Sequence, residues 1–154
     1  MAAMDDAKGL RSAGLRVTAA RLAILQVVRE GNHLHAERVA AGVRGRVGHV
    51  STQAVYDSLH ALTRAGLLRH IEPAGSPARY EVRVGDNHHH LVCRSCGAVT
   101  DVDCTVGEAP CLAPSDAQGY AVDEAEVVFW GVCPKCRAED ASPERAHAGA
   151  SPPA

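Results

Sequence analysis

The chain has 154 residues, of which 46% are hydrophobic and 22% charged, which excludes a collagen-like or disordered chain and fits a soluble globular protein. No apolar run approaches membrane-spanning length, and the start, MAAMDDAKGLRSAGL, lacks the basic region and apolar stretch of a secretion signal, so a cytoplasmic protein with no membrane partner is expected. The net charge of −2 hides a division: residues 1–84 hold twelve Lys/Arg against seven Asp/Glu (+5), and residues 85–154 hold four against eleven (−7), as if only the first half meets a polyanion. With one Phe, three Tyr and one Trp, any core is built from Leu, Val, Ile and Ala, which favours two small domains over one large one.

In the basic half, Thr18 is placed to cap a helix reaching about Glu30, with Leu22, Leu25 and Val28 on one stripe and Gly31 ending the run. A second helix is predicted from Ala36 to Arg44, with Val39 and Val43 on one face. Ser51 caps a third, in which Val55, Leu59 and Leu62 recur at four- and three-residue steps and Gly66 supplies the left-handed stop. The segments LLRHIE and ARYEVRV follow, separated by Pro73-Ala74-Gly75-Ser76-Pro77, and read as a hairpin. Three helices and a trailing hairpin make a winged helix-turn-helix, whose third helix enters the DNA major groove. The same pattern also fits a small helical domain without a ligand.

A hinge is expected at Gly85-Asp86-Asn87. The acidic half continues with strands through HHHLVC, AVTDVD and VDEAEVVFWGVC and a helical or loop segment around 107–118. From about Asp140 the chain is Ala/Ser/Pro-rich, and residues 141–154 are expected to be disordered. The fold class is α+β.

All six cysteines lie in the acidic half. In a cytoplasmic chain Cys-x-x-Cys pairs favour metal or redox chemistry over disulfides. Cys93, Cys96, Cys133 and Cys136 form two knuckles, together the four soft ligands that tetrahedral Zn²⁺ prefers. The 36 residues between them exceed zinc-ribbon spacing, so the ion would tie a strand pair to the chain end. A thioredoxin-like redox pair would need a βαβ context and would leave the second knuckle unexplained. Structural zinc is the reading taken, since it adds folding free energy to a domain with little core. His88 and His90, two apart on a strand, face one side and His89 the other. With His33, Glu81 and Asp101 they make a nitrogen and oxygen donor set suited to Fe²⁺, Mn²⁺, Zn²⁺ or Ni²⁺. Taken singly, His33, Glu81 and Asp101 are ordinary surface residue types, and only the 88/90 pair stands out.

Several motifs resemble one family, in order, over about residues 8–137. They are Gly14-Leu15-Arg16-Val17-Thr18-x-x-Arg21, His33-x-His35-Ala36, Ser51-x-x-Ala54-Val55-Tyr56-x-x-Leu59-x-x-Leu62-x-x-x-Gly66-Leu67, Arg79-Tyr80-Glu81, His88-x-His90-Leu91-x-Cys93-x-x-Cys96-Gly97 and Gly131-x-Cys133-x-x-Cys136. The chain resembles the ferric uptake regulator family. AVYDSLHALTRAGL, VGDNHHHLVCRSCG, DVDCTVGEAPCL and DEAEVVFWGVCP are similar to its actinobacterial branch, which represses catalase-peroxidase genes and senses peroxide.

The resemblance implies a winged-helix DNA-binding domain (1–84), a small α/β zinc-containing dimerisation and metal-sensing domain (85–140) and a homodimer on an AT-rich palindromic operator in double-stranded DNA. Regulatory Fe²⁺, with Mn²⁺, Zn²⁺ or Ni²⁺ as alternatives, would be held by His33, Glu81, His88, His90 and Asp101, a set split across the hinge. Peroxide would oxidise His33 or His88 and release repression of oxidative-stress genes and of the protein's own operon. The alternative is a homeostatic iron, zinc or nickel uptake regulator that responds to occupancy alone. Gln53 and Tyr56, on the exposed face of the Ser51 helix, are the candidate base contacts, Ser51 and Thr52 phosphate contacts, Arg16 a minor-groove contact, and Arg21 and Arg64 phosphate contacts or solvated charges. Asp57 stands where relatives usually carry Arg or Asn, and an acid near phosphate is unfavourable. A further site in relatives is reduced here to His89, Glu108 and Glu124, while Cys104 and Cys111 are either a redox-responsive pair or ordinary buried thiols. No enzyme and no small-molecule substrate is expected: four thiolates close the cysteine site, and no HExxH helix occurs.

Overall fold

The computed structural model describes residues 2–82, 84, 88–103, 116–122 and 126–140 and divides the chain into two units, Met1–Asp86 and Asn87–Ala154. In the first unit, helix α2 (Ala19–Gly31) begins where Thr18 accepts a hydrogen bond from the Arg21 amide at 3.2 Å, and α4 (Thr52–Arg64) where Ser51 accepts one from Ala54 at 3.1 Å. Each cap satisfies an amide that the first helical turn leaves unpaired. The Gly66 stop is a Schellman motif: at φ +67°, Gly66 N–H donates to Thr63 and Leu67 N–H to Leu62. Between these helices lies α3 (Ala36–Val47). Ile24 and Val28 of α2, Val39 and Val43 of α3, and Val55, Leu59 and Leu62 of α4 are fully buried in one core, each contributing about 1.5–3 kcal/mol of apolar burial.

Two elements of this unit differ from the predicted set. Helix α1 (Ala2–Ser12) precedes the others, buries Leu10, and is tied to α2 by Asp6, whose carboxylate accepts from Arg29 at 2.6 Å. Its AMDDAKGL stretch offers a single large apolar residue to the core and so shows no helical period. The wing has three antiparallel strands, β1 (Leu34–His35), β2 (Arg69–Ile71) and β3 (Arg79–Glu81), in the order β1-β3-β2. Only β2 and β3 were expected as strands; the two-residue β1 is too short for any alternation to register and is defined by pairing Leu34 with Tyr80.

In the second unit, β4 (His89–Cys93) pairs antiparallel with β5 (Val99–Val102) and parallel with β6 (Val128–Gly131). A seven-residue helix, α5 (Pro134–Asp140), starts with proline, whose missing N–H costs nothing at a first helical position. It replaces what was read only as a knuckle and chain end. Among the described residues of this unit the buried apolar ones are Val92, Cys93 and Cys136. The hinge at 85–87, Cys104, Glu108, Cys111 and Glu124, residues 107–115 of the 107–118 segment, and the 141–154 tail lie outside the described residues. Among the described residues no helix is long and apolar enough to cross a membrane.

Candidate metal centres and nucleic-acid interface

Cys93 ends β4, and the turn after it is closed by Gly97 N–H donating to the Cys93 carbonyl at 2.9 Å, with Gly97 at φ +71°. That turn swings Cys96 back beside Cys93. Parallel pairing of β6 with β4 sets Cys93 opposite Gly131, so Cys133 arrives two residues later and Cys136 one turn into α5. The four sulfurs lie within 4.8 Å of one another, and Cys96 Sγ is 3.8 Å from Cys133 Sγ. Two Zn–S bonds of about 2.3 Å at a tetrahedral angle separate their sulfurs by about 3.8 Å, so this donor set fits Zn²⁺. The amides of Cys96, Cys133 and Ser95 lower the Cys93 thiol to about 6. Against the pull of the Ser95 hydroxyl, the crowding thiols of Cys133 and Cys96 push Cys136 up to about 12. A cation removes that conflict by taking all four sulfurs as thiolates.

The regulatory residues form one cluster in each unit. In the first, the loop leaving α2 passes through Asn32 and His33 at φ 39° and 50°, a region that Asn and His tolerate better than most residues. It brings buried His33 to β3, where His33 Nε2 lies 2.9 Å from Glu81 Oε2. Glu81 is opposite Arg69 in register, with Arg69 Nε at 3.9 Å from its other oxygen. In the second unit, His90 is opposite Asp101. Asp101 Oδ1 stands 3.8 Å from His88 Nε2 and 3.7 Å from His90 Nε2, too far for hydrogen bonds and a few tenths of an ångström wider than the separation of about 3.4 Å that two bonds of about 2.1 Å give at a tetrahedral angle. Behind the ring, His90 Nδ1 faces Glu126 Oε1 at 3.7 Å. Sequence reasoning did not single out Glu126; the strand register, which places Val128 opposite His90, brings it near the ring.

On the winged helix, Thr52, Gln53 and Arg64 are exposed along α4, as is Ser51 at its cap and Arg16 in the turn before α2. Tyr56, read as exposed, is half-buried against the core, because its position adjoins the Val55/Leu59 stripe; its hydroxyl donates to Glu37 on α3 at 3.1 Å. That bond raises the Tyr56 phenol, while Glu37 is lowered first by its own backbone amide and then by Tyr56. Arg21 donates to the Arg16 carbonyl at 2.8 Å. Arg44, absent from the expected set, donates to Thr52 Oγ1 at 2.7 Å and to the Val50 carbonyl at 3.1 Å, pinning the entry to α4. Asp57 accepts from Gln53 Nε2 at 2.8 Å, which accounts for the acid on this helix: it orients the neighbouring amide.

A winged helix joined to a thiolate metal centre and imidazole–carboxylate clusters defines a metal-dependent transcriptional regulator. The ferric uptake regulator family model matches residues 12–129. The transcriptional regulator FurA of Mycobacterium tuberculosis is 59% identical over 138 residues, covering 90% of this chain and 94% of FurA. Among solved structures, the ferric uptake regulator of Vibrio cholerae superposes with a TM-score of 0.63 at 24% identity, over 84% of this chain and all of the other. That of Pseudomonas aeruginosa with manganese does so at 0.60 and 25%, over 84% and 98%. The chain belongs to the ferric uptake regulator family, in its actinobacterial FurA branch. It is a DNA-binding repressor and not an enzyme.

Proposed function

We propose that the chain is an Fe²⁺-dependent, peroxide-responsive repressor, acting in the cytoplasm as a homodimer on an AT-rich palindromic operator that controls catalase-peroxidase genes and its own operon. The observation that carries the regulatory part is the placement of Asp101 Oδ1 almost equally far from His88 Nε2 and His90 Nε2, matched in the other unit by the His33–Glu81 pair. His33, Glu81, His88, His90 and Asp101 would hold one ion between them. Because those ligands belong to both units, occupancy favours one arrangement of the winged helices, and a ligand shifts such an equilibrium only through its differential affinity for the two states. Cys93, Cys96, Cys133 and Cys136 would hold Zn²⁺ for stability.

Arg16, Arg21, Ser51, Thr52, Gln53, Tyr56 and Arg64 supply the DNA surface in this reading, Gln53 and Tyr56 toward bases and the rest toward phosphate or minor groove. Bound Fe²⁺ supplies the one-electron chemistry that activates hydrogen peroxide. The ring of His33 or His88 then takes one oxygen atom at a C–H carbon, the second oxygen leaves as water, and an oxidised ring no longer ligates. The test is mass spectrometry and operator affinity of iron-loaded protein after mild peroxide. One added oxygen on His33 or His88, with loss of binding, is expected. Unmodified histidines beside oxidised Cys104 or Cys111 move sensing to thiols, and an unmodified protein that responds only to occupancy is a homeostatic iron, zinc or nickel regulator.

A further inference from the structure

We propose that Glu126 is a positioning residue of the regulatory metal centre: it holds the Nδ1–H of His90 and so presents Nε2 of that ring, unprotonated, to the ion. The inference rests on the reading of His88, His90 and Asp101 as ligands. The two nitrogens of His90 face different acids. Nε2 lies 3.7 Å from Asp101 Oδ1, the oxygen that also faces His88 Nε2, while Nδ1 lies 3.7 Å from Glu126 Oε1 on the opposite side of the ring. One side of the imidazole therefore belongs to the donor cluster and the other to Glu126.

A neutral imidazole carries its single proton on one nitrogen, and only the bare nitrogen can bind a metal. A carboxylate accepts and never donates, so Glu126 pulls the proton to Nδ1 against the opposite pull of Asp101 at Nε2, and an ion that engages Asp101 leaves Glu126 as the acceptor. The separation is within ion-pair reach, and since Glu126 is 45% exposed at its side chain, a small rotation closes it to a hydrogen bond. The backbone makes these residues neighbours. Pairing of His90 with Asp101 on one side and with Val128 on the other clamps β4 between β5 and β6, and Glu126 enters two residues ahead of Val128. An acid behind a ligating imidazole orients the ring and raises its basicity, and loss of such a partner typically costs about 10- to 100-fold in metal affinity.

The test uses full-length protein with the cysteine site loaded with zinc, in wild type, Glu126→Ala, Glu126→Gln and His90→Ala. Ring ¹⁵N shifts of His90 without added metal report the tautomer, and titration with Co²⁺ followed by its d–d absorption reports affinity at the second site. The proposal expects a larger share of the Nδ1–H form in wild type than in Glu126→Ala, where Asp101 alone competes for the ring proton. Co²⁺ should bind at least about tenfold more weakly to Glu126→Ala, and Glu126→Gln, whose amide oxygen still accepts, should fall between. Unchanged tautomer and affinity in Glu126→Ala, with His90→Ala abolishing the second Co²⁺, overturns the role of Glu126 alone. A second Co²⁺ whose affinity and spectrum are unaffected by His90→Ala overturns the reading of the metal centre itself.

Discussion

Cys96 is the exposed member of a sulfur cluster in which Cys93 and Cys136 are buried and Cys133 is half-buried, yet the cluster depends on it. Three thiolates cannot close a tetrahedral zinc, and the binding of a structural zinc contributes folding free energy directly. Cys96→Ala is expected to lose zinc and to unfold β4–β6 while the first unit keeps its helices. Metal content together with amide exchange at Val92 and Val28 checks this, and a variant that retains one tightly held zinc contradicts it. Ser95→Ala, which removes a hydroxyl near Cys136 but no ligand, is expected to keep the metal. The cysteine ligands were legible because paired Cys-x-x-Cys spacing encodes the geometry of a knuckle locally. Glu126 was not, since its nearness to His90 depends on the register of two strands joined through a long connection.

Within α3, two glycines separate propensity from packing. Glycine in a helix interior is unfavourable relative to alanine by up to about 1 kcal/mol. At Gly45 an added Cβ meets nothing within 4 Å, whereas at Gly42 it would lie 2.8 and 3.0 Å from the two methyls of Val27 on α2. Val27 is buried and β-branched, so it has no rotamer to retreat to, and overpacking costs about 1–3 kcal/mol. Gly45→Ala should therefore raise the midpoint of thermal unfolding and Gly42→Ala lower it, by about 4–8 °C per kcal/mol for a unit of this size. The helices whose apolar residues recur every three or four positions, α2, α3 and α4, could be read from sequence with their caps. Helix α1 and strand β1 could not, because one is anchored by Leu10 and an ion pair and the other by two backbone pairings, neither of which leaves a periodic trace.

Across the whole molecule, the charge division near residue 85 assigns the two halves different partners. The first, at +5, is suited to phosphate and the second, at −7, to cations. Operator affinity should accordingly fall steeply with salt. Arg64→Ala should flatten the slope of log K against log salt by about 1, the share of a single neutralised phosphate, while Gln53→Ala lowers affinity with the slope kept.

Metal and DNA act on the same conformational equilibrium in this reading, and linkage makes their coupling reciprocal. If Mn²⁺, a stand-in that does not oxidise its ligands under these conditions, tightens operator binding by some factor, typically about 5- to 150-fold, then saturating operator must tighten Mn²⁺ binding by the same factor. Both sides are measurable at one salt concentration, by fluorescence anisotropy of labelled operator with and without Mn²⁺ and by Mn²⁺ titration with and without operator. Equal factors are expected in wild type. Glu81→Ala removes a ligand from the first unit and leaves His88, His90 and Asp101 in place, so it should retain weak Mn²⁺ binding with both factors reduced toward one. Retention of the full coupling in that variant would mean that the ion acts within the second unit alone, and the split ligand set would not be the switch.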